Sequence, residues 1–290
     1  MISDEQLRVG VATLWGLTDA TIARHRGGMN SATWFVTAGE RRWVAKSVPA
    51  QAARRLRAGL AVAAAVQRAG IPAGAPMPTV DGELVADLDD YPVALLAFVP
   101  GVPLTGGDQS LIGTTLARVH NALAGVIVDD VEQFHWVDSA ADHLAVRPWI
   151  RESVAAAVET LDEVGPRGLL HTDPAPEAFR LDRDGGVCGL IDWSIGLYGP
   201  LLYDIASAVM YAGGPSRAGA LLCAYLDHTD LVEEAVIETG LPSMVRFRWA
   251  VQADYFAQRI ATGDLTGIAS AGENEKGLED ARRALASSEP

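Results

Sequence analysis

Apolar positions in the first hundred residues recur at helical spacing and then at strand spacing. Leu7, Val11 and Leu14 lie three or four positions apart after the polar pair at 3–4, and either of those two residues is a suitable N-cap. This spacing predicts an amphipathic helix over 4–15. The further elements predicted in this region are a hairpin within TWFVTAGERRWVAKSV, a helix over 51–69, and strands within ELVAD and VALLAFV.

Helical spacing dominates after VPGVP (99–103), a Pro/Gly-rich stretch that is typical of a hinge. The predicted elements are helices over 108–124, 147–164, 200–212, 215–228, 231–239, 242–262 and 273–286, two short strands around 168–171 and 187–191, and a mobile loop within 262–277. A strand-rich first third joined to a mostly helical remainder predicts an α+β fold with two lobes. We place the N-terminal lobe at 1–98 and the C-terminal lobe at 99–290.

The formal net charge of -14 is unevenly distributed along the chain. Residues 1–100 carry 10 basic and 9 acidic residues, whereas residues 101–290 carry 13 basic and 28 acidic residues. Nucleic-acid binding is disfavoured, because contacts with phosphates need basic surfaces. The acidity of the second part either serves solubility alone or attracts a cationic ligand.

Neither a membrane span nor a secretion signal is predicted. The longest apolar runs, LAVAAAV and PVALLAFVP, are shorter than the ~20 residues that a membrane-spanning helix needs. The N-terminal MISDEQLRVG is acidic and polar, unlike a signal or transit peptide. Two cysteines, Cys188 and Cys223, give no metal-binding spacing, which favours reduced thiols in a cytoplasmic protein. The sequence leaves the oligomeric state open.

Lys46 is one of two lysines among 23 basic residues, the other being Lys276. It lies in the second strand of the predicted hairpin. A compact ammonium acts as a point charge on phosphate oxygens, whereas the guanidinium of arginine is a bulkier planar group. An exposed strand lysine without a binding role is the alternative. Upstream, Gly27 and Gly28 would let the backbone approach a phosphate, although glycine pairs are common in turns.

A second group of candidate residues consists of His171, Asp173 and Asp192. Asp173 follows a short predicted strand into a loop, and Asp192 ends VCGLID 19 positions later. Phosphoryl transfer needs one carboxylate beside the attacking hydroxyl and another that holds Mg²⁺ on the nucleotide phosphates. We therefore predict that both aspartates lie at strand ends facing one cleft, with His171 packing and hydrogen bonding to fix the loop. For either aspartate alone, a turn or a helix cap is the simpler explanation.

The order of these motifs resembles the aminoglycoside phosphotransferase family, which also includes choline and homoserine kinase-like enzymes and shares the protein-kinase plan. The similar segments are GGMNSATWFV, WVAKS, VALLAFVPGVPL, LARVHN, LLHTDPAPEAFR and VCGLIDWSIGLYGPLLYDIA. The H-x-D and I-D-W motifs at this spacing are the specific part of the resemblance, which covers nearly the whole chain. It implies an N-terminal lobe with an antiparallel sheet and one helix, an adenine-binding linker near 96–101, and a helical C-terminal lobe that holds the acceptor.

The same resemblance implies ATP and Mg²⁺ as cofactors and a role for each matching residue. Lys46 would hold the α- and β-phosphates, Asp173 would be the catalytic base with His171 beside it, and Asp192 would bind Mg²⁺. The nucleotide-binding set would further include Gly27, Gly28, Asn30, Ser31, Ala97 and Val99.

Two positions depart from the family pattern. The pattern H-x-D-x-x-x-x-N ends here in Ala178, which has no metal-binding group, and the helix glutamate that pairs with the strand lysine falls at Gly59 by a rough alignment. No acidic residue occurs in 51–69, so Lys46 is expected to lack its usual partner on that helix. Glu177 is placed with the metal ligands because its carboxylate lies next to the substituted position. One well-held Mg²⁺ is expected rather than two, unless Glu177 substitutes.

Two further sets of residues give weaker signals. Structural support of the catalytic loop is expected from His120, Tyr203 and Asp204. Helical spacing within RWAVQADYFAQRI brings together Trp249, Asp254, Tyr255 and Arg259. This second set either lines the acceptor cleft or forms an ordinary helix with one core face and one solvated face.

Three functions remain open at this level. The first is an ATP- and Mg²⁺-dependent O-phosphotransferase acting on a small hydroxylated molecule, with or without an amine. The second is a pseudokinase that binds a nucleotide or a protein partner without catalysis, and the third is a kinase of a peptide Ser or Thr. Retention of Lys46, Asp173 and Asp192 favours the first function, whereas Gly59 and Ala178 favour the second.

Overall fold

A strand-rich N-terminal region is followed by a mostly helical remainder. The computed structural model describes residues 2–25, 28–134, 137–161, 164–193 and 195–287. The α-helices in these ranges are α1 (Asp4–Trp15), α2 (Ala53–Arg68), α3 (Gln109–Leu123), α4 (Pro148–Glu159), α5 (Leu201–Tyr211), α6 (Gly219–Leu226), α7 (Glu234–Thr262) and α8 (Ala271–Ser287). The strands are β1 (Thr21–His25), β2 (Ala32–Ala38), β3 (Arg41–Ser47), β4 (Pro76–Met77), β5 (Ala86–Leu88), β6 (Tyr91–Ala97), β7 (Val102–Pro103), β8 (Glu132–Gln133), β9 (Arg167–Leu170), β10 (Phe179–Asp182), β11 (Val187–Leu190) and β12 (Leu197–Pro200). None of the helices within those ranges combines the length and the apolar character that crossing a membrane requires.

The N-terminal sheet contains the predicted hairpin at its centre. Its strand order is β1-β2-β3-β6-β4, with β5 also paired to β6, and the pairs are antiparallel. Side chains of a strand alternate between the two faces of a sheet. Trp43 and Ala45 of β3 therefore pack with α1, whereas Val44 and Val48 pack with α2. Lys46 has the same parity as Val44 and belongs to the α2 side of the sheet.

Helix α1 closes the other face of this sheet. Ser3, one of the two N-cap candidates, is its N-cap and forms a reciprocal capping box with Gln6. Leu7 and Val11 are fully buried against the sheet. The amphipathic helix predicted over 4–15 is confirmed.

Two small sheets and six helices make up the rest of the described chain. One sheet has the order β11-β10-β7 and the other β8-β12-β9. Strand β7 pairs with β10, so the chain crosses from the N-terminal sheet to the second part between Ala97 and Val102. The largest core cluster lies here and includes apolar residues of α2, α3, α5 and α7. Helix α2 therefore contacts both the N-terminal sheet and the helical part.

Helix α7 corrects the prediction of two separate helices over 231–239 and 242–262. It runs without interruption from Glu234 to Thr262, with Pro242 inside it. A proline in a helix interior costs about 3 kcal/mol or more in helix stability. Buried residues on both sides of it, including Leu241 and Met244, keep the same face of α7 in the core and outweigh that cost.

Three other boundaries differ from the prediction. The helix expected over 215–228 is a 3₁₀ turn at Pro215–Arg217 followed by α6, and the loop expected over 262–277 ends where α8 begins at Ala271. The strand expected within ELVAD begins only at Ala86. Strands β1, β4, β7, β8, β10 and β12 were not predicted, because none of them has an apolar run or an alternation long enough to establish a period.

Candidate active site

A buried carboxylate accepts backbone hydrogen bonds from the loop that carries Asp173. Asp204, in the first turn of α5, is fully buried, and its two oxygens accept the backbone N–H groups of His171 and Thr172, each at 2.7 Å. His120 of α3 lies 3.3 Å from the same carboxylate and 2.7 Å from the hydroxyl of Tyr225. The structural support expected from Asp204 and His120 has a physical basis in these contacts, since buried carboxylates need hydrogen-bond donors.

His171 connects the two loops that carry the aspartates. Its Nε2 donates a hydrogen bond of 2.8 Å to the backbone carbonyl of Ile191, the residue before Asp192. The ring packs edge-on against Trp193, with ring centroids 4.6 Å apart. The residue is 3% exposed, so this link between the two loops lies in the protein interior. Packing and hydrogen bonding that fix the loop were expected for His171 from the sequence.

Within the described chain, only one of the two carboxylate oxygens of Asp173 accepts hydrogen bonds. Its Oδ1 accepts hydrogen bonds from the Tyr211 hydroxyl at 2.6 Å and from Arg248 Nη2 at 2.9 Å. The side chain remains 58% exposed. Burial and the negative charge of Asp173 raise the pKa of Tyr211, so its hydroxyl remains protonated and available as a donor.

Arg248 keeps its charge although its side chain is almost fully buried. Burial alone acts to lower the pKa of the guanidinium, but the side chain of Tyr203 and the carboxylate of Asp173 outweigh it, and the pKa is raised overall. A buried charge of this kind needs an opposite charge within hydrogen-bond distance. The pair with Asp173 meets that requirement.

Lys46 and Asp192 form an ion pair across the cleft between the N-terminal sheet and the helical part. The side chain of Lys46 is 12% exposed and that of Asp192 is 55% exposed. Asp192 has a φ of 76°, in the left-handed region that few non-glycine residues adopt. The lysine therefore has a carboxylate partner without a helix glutamate, a contact that was not predicted from the sequence.

Gly59 of α2 lies directly against the chain that follows Asp192. A Cβ atom added at Gly59 would overlap the carbonyl oxygen of Trp193 and would lie 3.1 Å from the backbone N of Gly196. The helix and this loop therefore touch backbone to backbone, and any side chain at position 59 would separate them. A glutamate at this position would force the helix and the loop apart.

Ala178 and Glu177 have different environments. Ala178 is 7% exposed and belongs to the main core, and its carbonyl accepts a 2.9 Å hydrogen bond from the backbone N–H of Ile191. Glu177 is exposed in the short 3₁₀ turn at Pro176–Ala178. No group of three or more His, Cys, Asp or Glu side chains within the described ranges could hold a metal unaided.

The loop between β1 and β2 is attached to α7. The Tyr255 hydroxyl donates to Asn30 Oδ1 at 2.9 Å, and Arg259 Nη1 donates to the Met29 carbonyl at 3.0 Å. Ser31 is buried, with its Oγ 3.4 Å from the hydroxyl oxygen of Thr33.

Gly28 of this loop also approaches the chain after α7. Gly28 has a φ of 88°, and a Cβ added at Gly267 would overlap its carbonyl oxygen. Gly27, the other predicted glycine, lies outside the described residues.

The predicted linker residues meet the strand end that precedes Asp192. A Cβ added at Gly74 would lie 3.5 Å from the Ala97 carbonyl, 3.8 Å from Ile191 and 3.9 Å from Val99. The backbone N–H of Ala97 donates to the Ala75 carbonyl at 2.9 Å. Gly74 thus lies close to both the predicted linker and the strand end that precedes Asp192.

The four candidate residues on α7 occupy different environments. Tyr255 and Arg259 line a cavity of about 460 Å³ between α7 and the loop that contains Asn30. Asp254 pairs with His143 Nε2 at 2.6 Å, and Trp249 packs at the edge of the core.

Tyr211 and Arg248 were not predicted. For Arg248 a signal was available, since Arg248, Tyr255 and Arg259 are spaced i, i+7 and i+11 on one face of a helix.

A family model described as the phosphotransferase enzyme family matches residues 21–235 of this chain. The matched range runs from β1 into the first turn of α7 and contains Lys46, Asp173 and Asp192. The resemblance noted from the sequence motifs is confirmed by this match.

Individual relatives are more distant. The homoserine kinase of Sinorhizobium fredii (strain NBRC 101917 / NGR234) is 29% identical over 153 residues, which are 47% of this chain and 46% of that protein. The chain thus spans about half the length of the curated relatives it matches.

Solved structures match over nearly the full chain. An amicoumacin kinase in complex with AMP-PNP and Ca²⁺ has a TM-score of 0.75 at 14% identity, covering 100% of this chain and 95% of that one. A microcompartment-associated aminopropanol kinase has a TM-score of 0.72 at 19% identity, covering 98% and 96%. Identities this low support the fold alone, and the predicted α+β, protein-kinase-like fold is confirmed.

Proposed function

The chain belongs to the phosphotransferase enzyme family, and we propose that it is an ATP-dependent O-phosphotransferase acting on a hydroxyl group of a small molecule. The observation that carries the proposal is the arrangement around the cleft. An exposed carboxylate, Asp173, stands in a rigidly anchored loop, and Lys46 and Asp192 meet at the strand end beside it. Phosphoryl transfer depends on positioning and charge stabilisation, for which this set of groups is suited.

Nucleotide binding is assigned to the N-terminal sheet and the linker. Lys46 would exchange its contact with Asp192 for the α- and β-phosphates, since a lysine ammonium can reorient on its flexible stem. Backbone N–H groups near Gly28, Asn30 and Ser31 would face the phosphates, and Gly27 is assigned to the same loop. The linker residues Ala97 and Val99 would bind the adenine.

The donor set fits Mg²⁺ held jointly by protein and nucleotide. Mg²⁺ at nucleotide sites is usually bound by one or two carboxylates together with substrate phosphates, which agrees with a half-exposed Asp192 and no larger ligand group in the described chain. Asp192 would hold the ion, with Glu177 as the second candidate donor. When bound, the ion would neutralise charge on the transferring phosphoryl group.

Asp173 is assigned as the catalytic base. It would accept the proton of the acceptor hydroxyl while the hydroxyl oxygen bonds to the γ-phosphorus and the phosphorus–oxygen bond to ADP breaks. Its exposed Oδ2 is suited to this role, because a base must come within about 2.6–3.2 Å of the proton donor. His171 supports the loop from the inside.

For the acceptor we propose a neutral or amine-bearing alcohol. The support is electrostatic: residues 101–290, which contain Asp173, carry 13 basic and 28 acidic residues. Such a field attracts cations and repels anions. Among the structural neighbours, the name aminopropanol kinase denotes an amine-bearing alcohol as the acceptor of that protein.

ADP release from ATP and Mg²⁺ tests this function with a panel of hydroxylated amines, sugars and hydroxy acids, at low and high salt. We expect an amine-bearing or neutral alcohol to be the best acceptor. For a cationic acceptor, kcat/KM should fall as salt rises while kcat stays nearly constant, because exposed charges are screened beyond a Debye length of about 8–10 Å. Preference for hydroxy acids would contradict the electrostatic part of the proposal.

A nucleotide-binding protein without phosphoryl transfer is the second candidate. The observation that favours it is the buried Ala178, where the family pattern has a metal-binding asparagine. The same panel separates the two functions. Binding of an ATP analogue without acceptor-dependent ADP release from any panel member would replace the enzyme proposal with this one.

Lys46→Ala is expected to weaken ATP binding about 10- to 100-fold. This corresponds to the ~1.5–3 kcal/mol that a hydrogen bond to a charged group contributes. Calorimetry with AMP-PNP and Mg²⁺ measures the change. Lys276→Ala is the matched control, since Lys276 forms an exposed i, i+4 pair with Asp280 on α8. Equal affinities of the Lys46→Ala variant and the unaltered protein would exclude a phosphate contact of Lys46.

A further inference from the structure

Asp173 receives two hydrogen bonds on the same oxygen. Tyr211 at the end of α5 and Arg248 of α7 both donate to Oδ1, at 2.6 and 2.9 Å. In the part of the chain that the structure describes, Oδ2 accepts no hydrogen bond. Two donors that converge on one oxygen from different helices fix the rotation of the carboxylate, which one donor alone does not achieve. The side chain of Asp173 is 58% exposed, so the second oxygen remains available to a bound molecule.

Arg248 is itself held in place. Its Nε donates to Ser207 Oγ at 3.0 Å, and Ser207 Oγ in turn donates to the Thr172 carbonyl at 3.4 Å. The guanidinium thus contacts Asp173 directly and is linked through Ser207 to Thr172, the loop residue before Asp173. Arg248 is 7% exposed, so its geometry does not depend on solvent. A planar guanidinium presents its donors in a fixed arrangement that a lysine lacks.

We propose that Arg248 and Tyr211 are positioning residues for phosphoryl transfer, which hold Asp173 by Oδ1 and turn Oδ2 toward the acceptor hydroxyl. The inference rests on the proposed function. It assigns to α7, whose greater part lies beyond the matched range of the family, a direct influence on the base. Loss of either donor allows the carboxylate to rotate and lowers the fraction of complexes in reactive geometry, and misplacement by about 1 Å costs up to about 100-fold in rate.

The test compares Arg248→Met, Arg248→Lys and Tyr211→Phe, using the best acceptor found for the unaltered protein. We expect kcat to fall about 10- to 100-fold in Arg248→Met, less in Arg248→Lys, and about 3- to 10-fold in Tyr211→Phe. The Kd of AMP-PNP should stay within about 2-fold in all three, because neither residue is assigned to the nucleotide. Arg147→Met is the matched control, since Arg147 pairs with Glu275 and makes no contact with the catalytic loop.

A double variant and chemical rescue separate positioning from general loss of structure. Because both residues act on one oxygen, the loss in Arg248→Met with Tyr211→Phe should be smaller than the product of the two single losses. In Arg248→Ala, millimolar guanidinium should restore part of kcat, whereas urea, which has a similar shape and no charge, should not.

Four outcomes would overturn the inference. They are unchanged kcat in Arg248→Met, a loss confined to AMP-PNP affinity, equal rescue by urea and guanidinium, and a loss that thermal unfolding of the variants accounts for. Absence of transfer by the unaltered protein with every acceptor would instead contradict the proposed function and is recognised before any variant is made.

Discussion

Replacing Asp173 by asparagine is expected to lower kcat by about 10²- to 10⁴-fold, the contribution of a general base in enzymes. Asparagine has nearly the same shape and keeps an oxygen that can accept from Tyr211 and Arg248 at the position of Oδ1. The group at the position of Oδ2 becomes an NH₂, which donates hydrogen bonds and does not accept a proton. Single-turnover ADP release measures the chemical step directly.

The same variant should bind AMP-PNP with Mg²⁺ about as tightly as the unaltered protein. Asp184→Asn is the matched control, because Asp184 is an exposed acidic residue in the turn between β10 and β11. A loss of kcat below about 5-fold in Asp173→Asn would be too small for a general base. The rate would then depend on charge stabilisation around Lys46 and Asp192, and Asp173 would have no chemical role.

Hydrophobic period predicted the long elements of this fold. Helices α1 to α5 lie within a few residues of their predicted positions, because each has several buried residues at helical spacing. Six of the described strands, each of two to five residues, were missed, including β10 and β12 at the centre of the two small sheets, because they are too short to show a clear period. Continuation of α7 through Pro242 was also missed. The rule that a proline interrupts a helix considers only the local cost. It does not include the stabilisation that α7 gains from the burial of Leu241 and Met244.

The residues of the candidate site were likewise predicted only in part. The loop position of Asp173 and the position of Asp192 after a strand were predicted from the motif spacing, whereas the ion pair between Lys46 and Asp192 was not. The contacts of Tyr211 and Arg248 with Asp173 span 38 and 75 positions of sequence, and the only local signal for them is the helix face that Arg248 shares with Tyr255 and Arg259. At one position the family pattern indicates a lost ion pair. The structure shows instead that two backbones are in close contact there.

That position is Gly59, and Gly59→Ala is expected to lower the free energy of unfolding by about 1–3 kcal/mol, the usual cost of overpacking. Two effects oppose each other. Alanine favours a helix interior over glycine by up to about 1 kcal/mol. The added Cβ would overlap the Trp193 carbonyl oxygen and crowd Gly196, and these are backbone atoms that move only if the loop after Asp192 moves. The steric cost is therefore expected to exceed the gain. Denaturant unfolding at constant m-value measures the difference.

Gly219→Ala is the matched control for this change. Gly219 begins α6, and an added Cβ there would meet no atom within 4 Å, so its effect should lie between neutral and about 1 kcal/mol stabilising. Gly59→Glu extends the test to function. If position 59 is a lost half of an ion pair, glutamate should strengthen AMP-PNP binding through Lys46. If close packing excludes side chains there, glutamate should displace the loop that carries Asp192 and weaken both stability and nucleotide binding. We expect the second result, because Lys46 already pairs with Asp192 and α2 has no space between its backbone and Trp193.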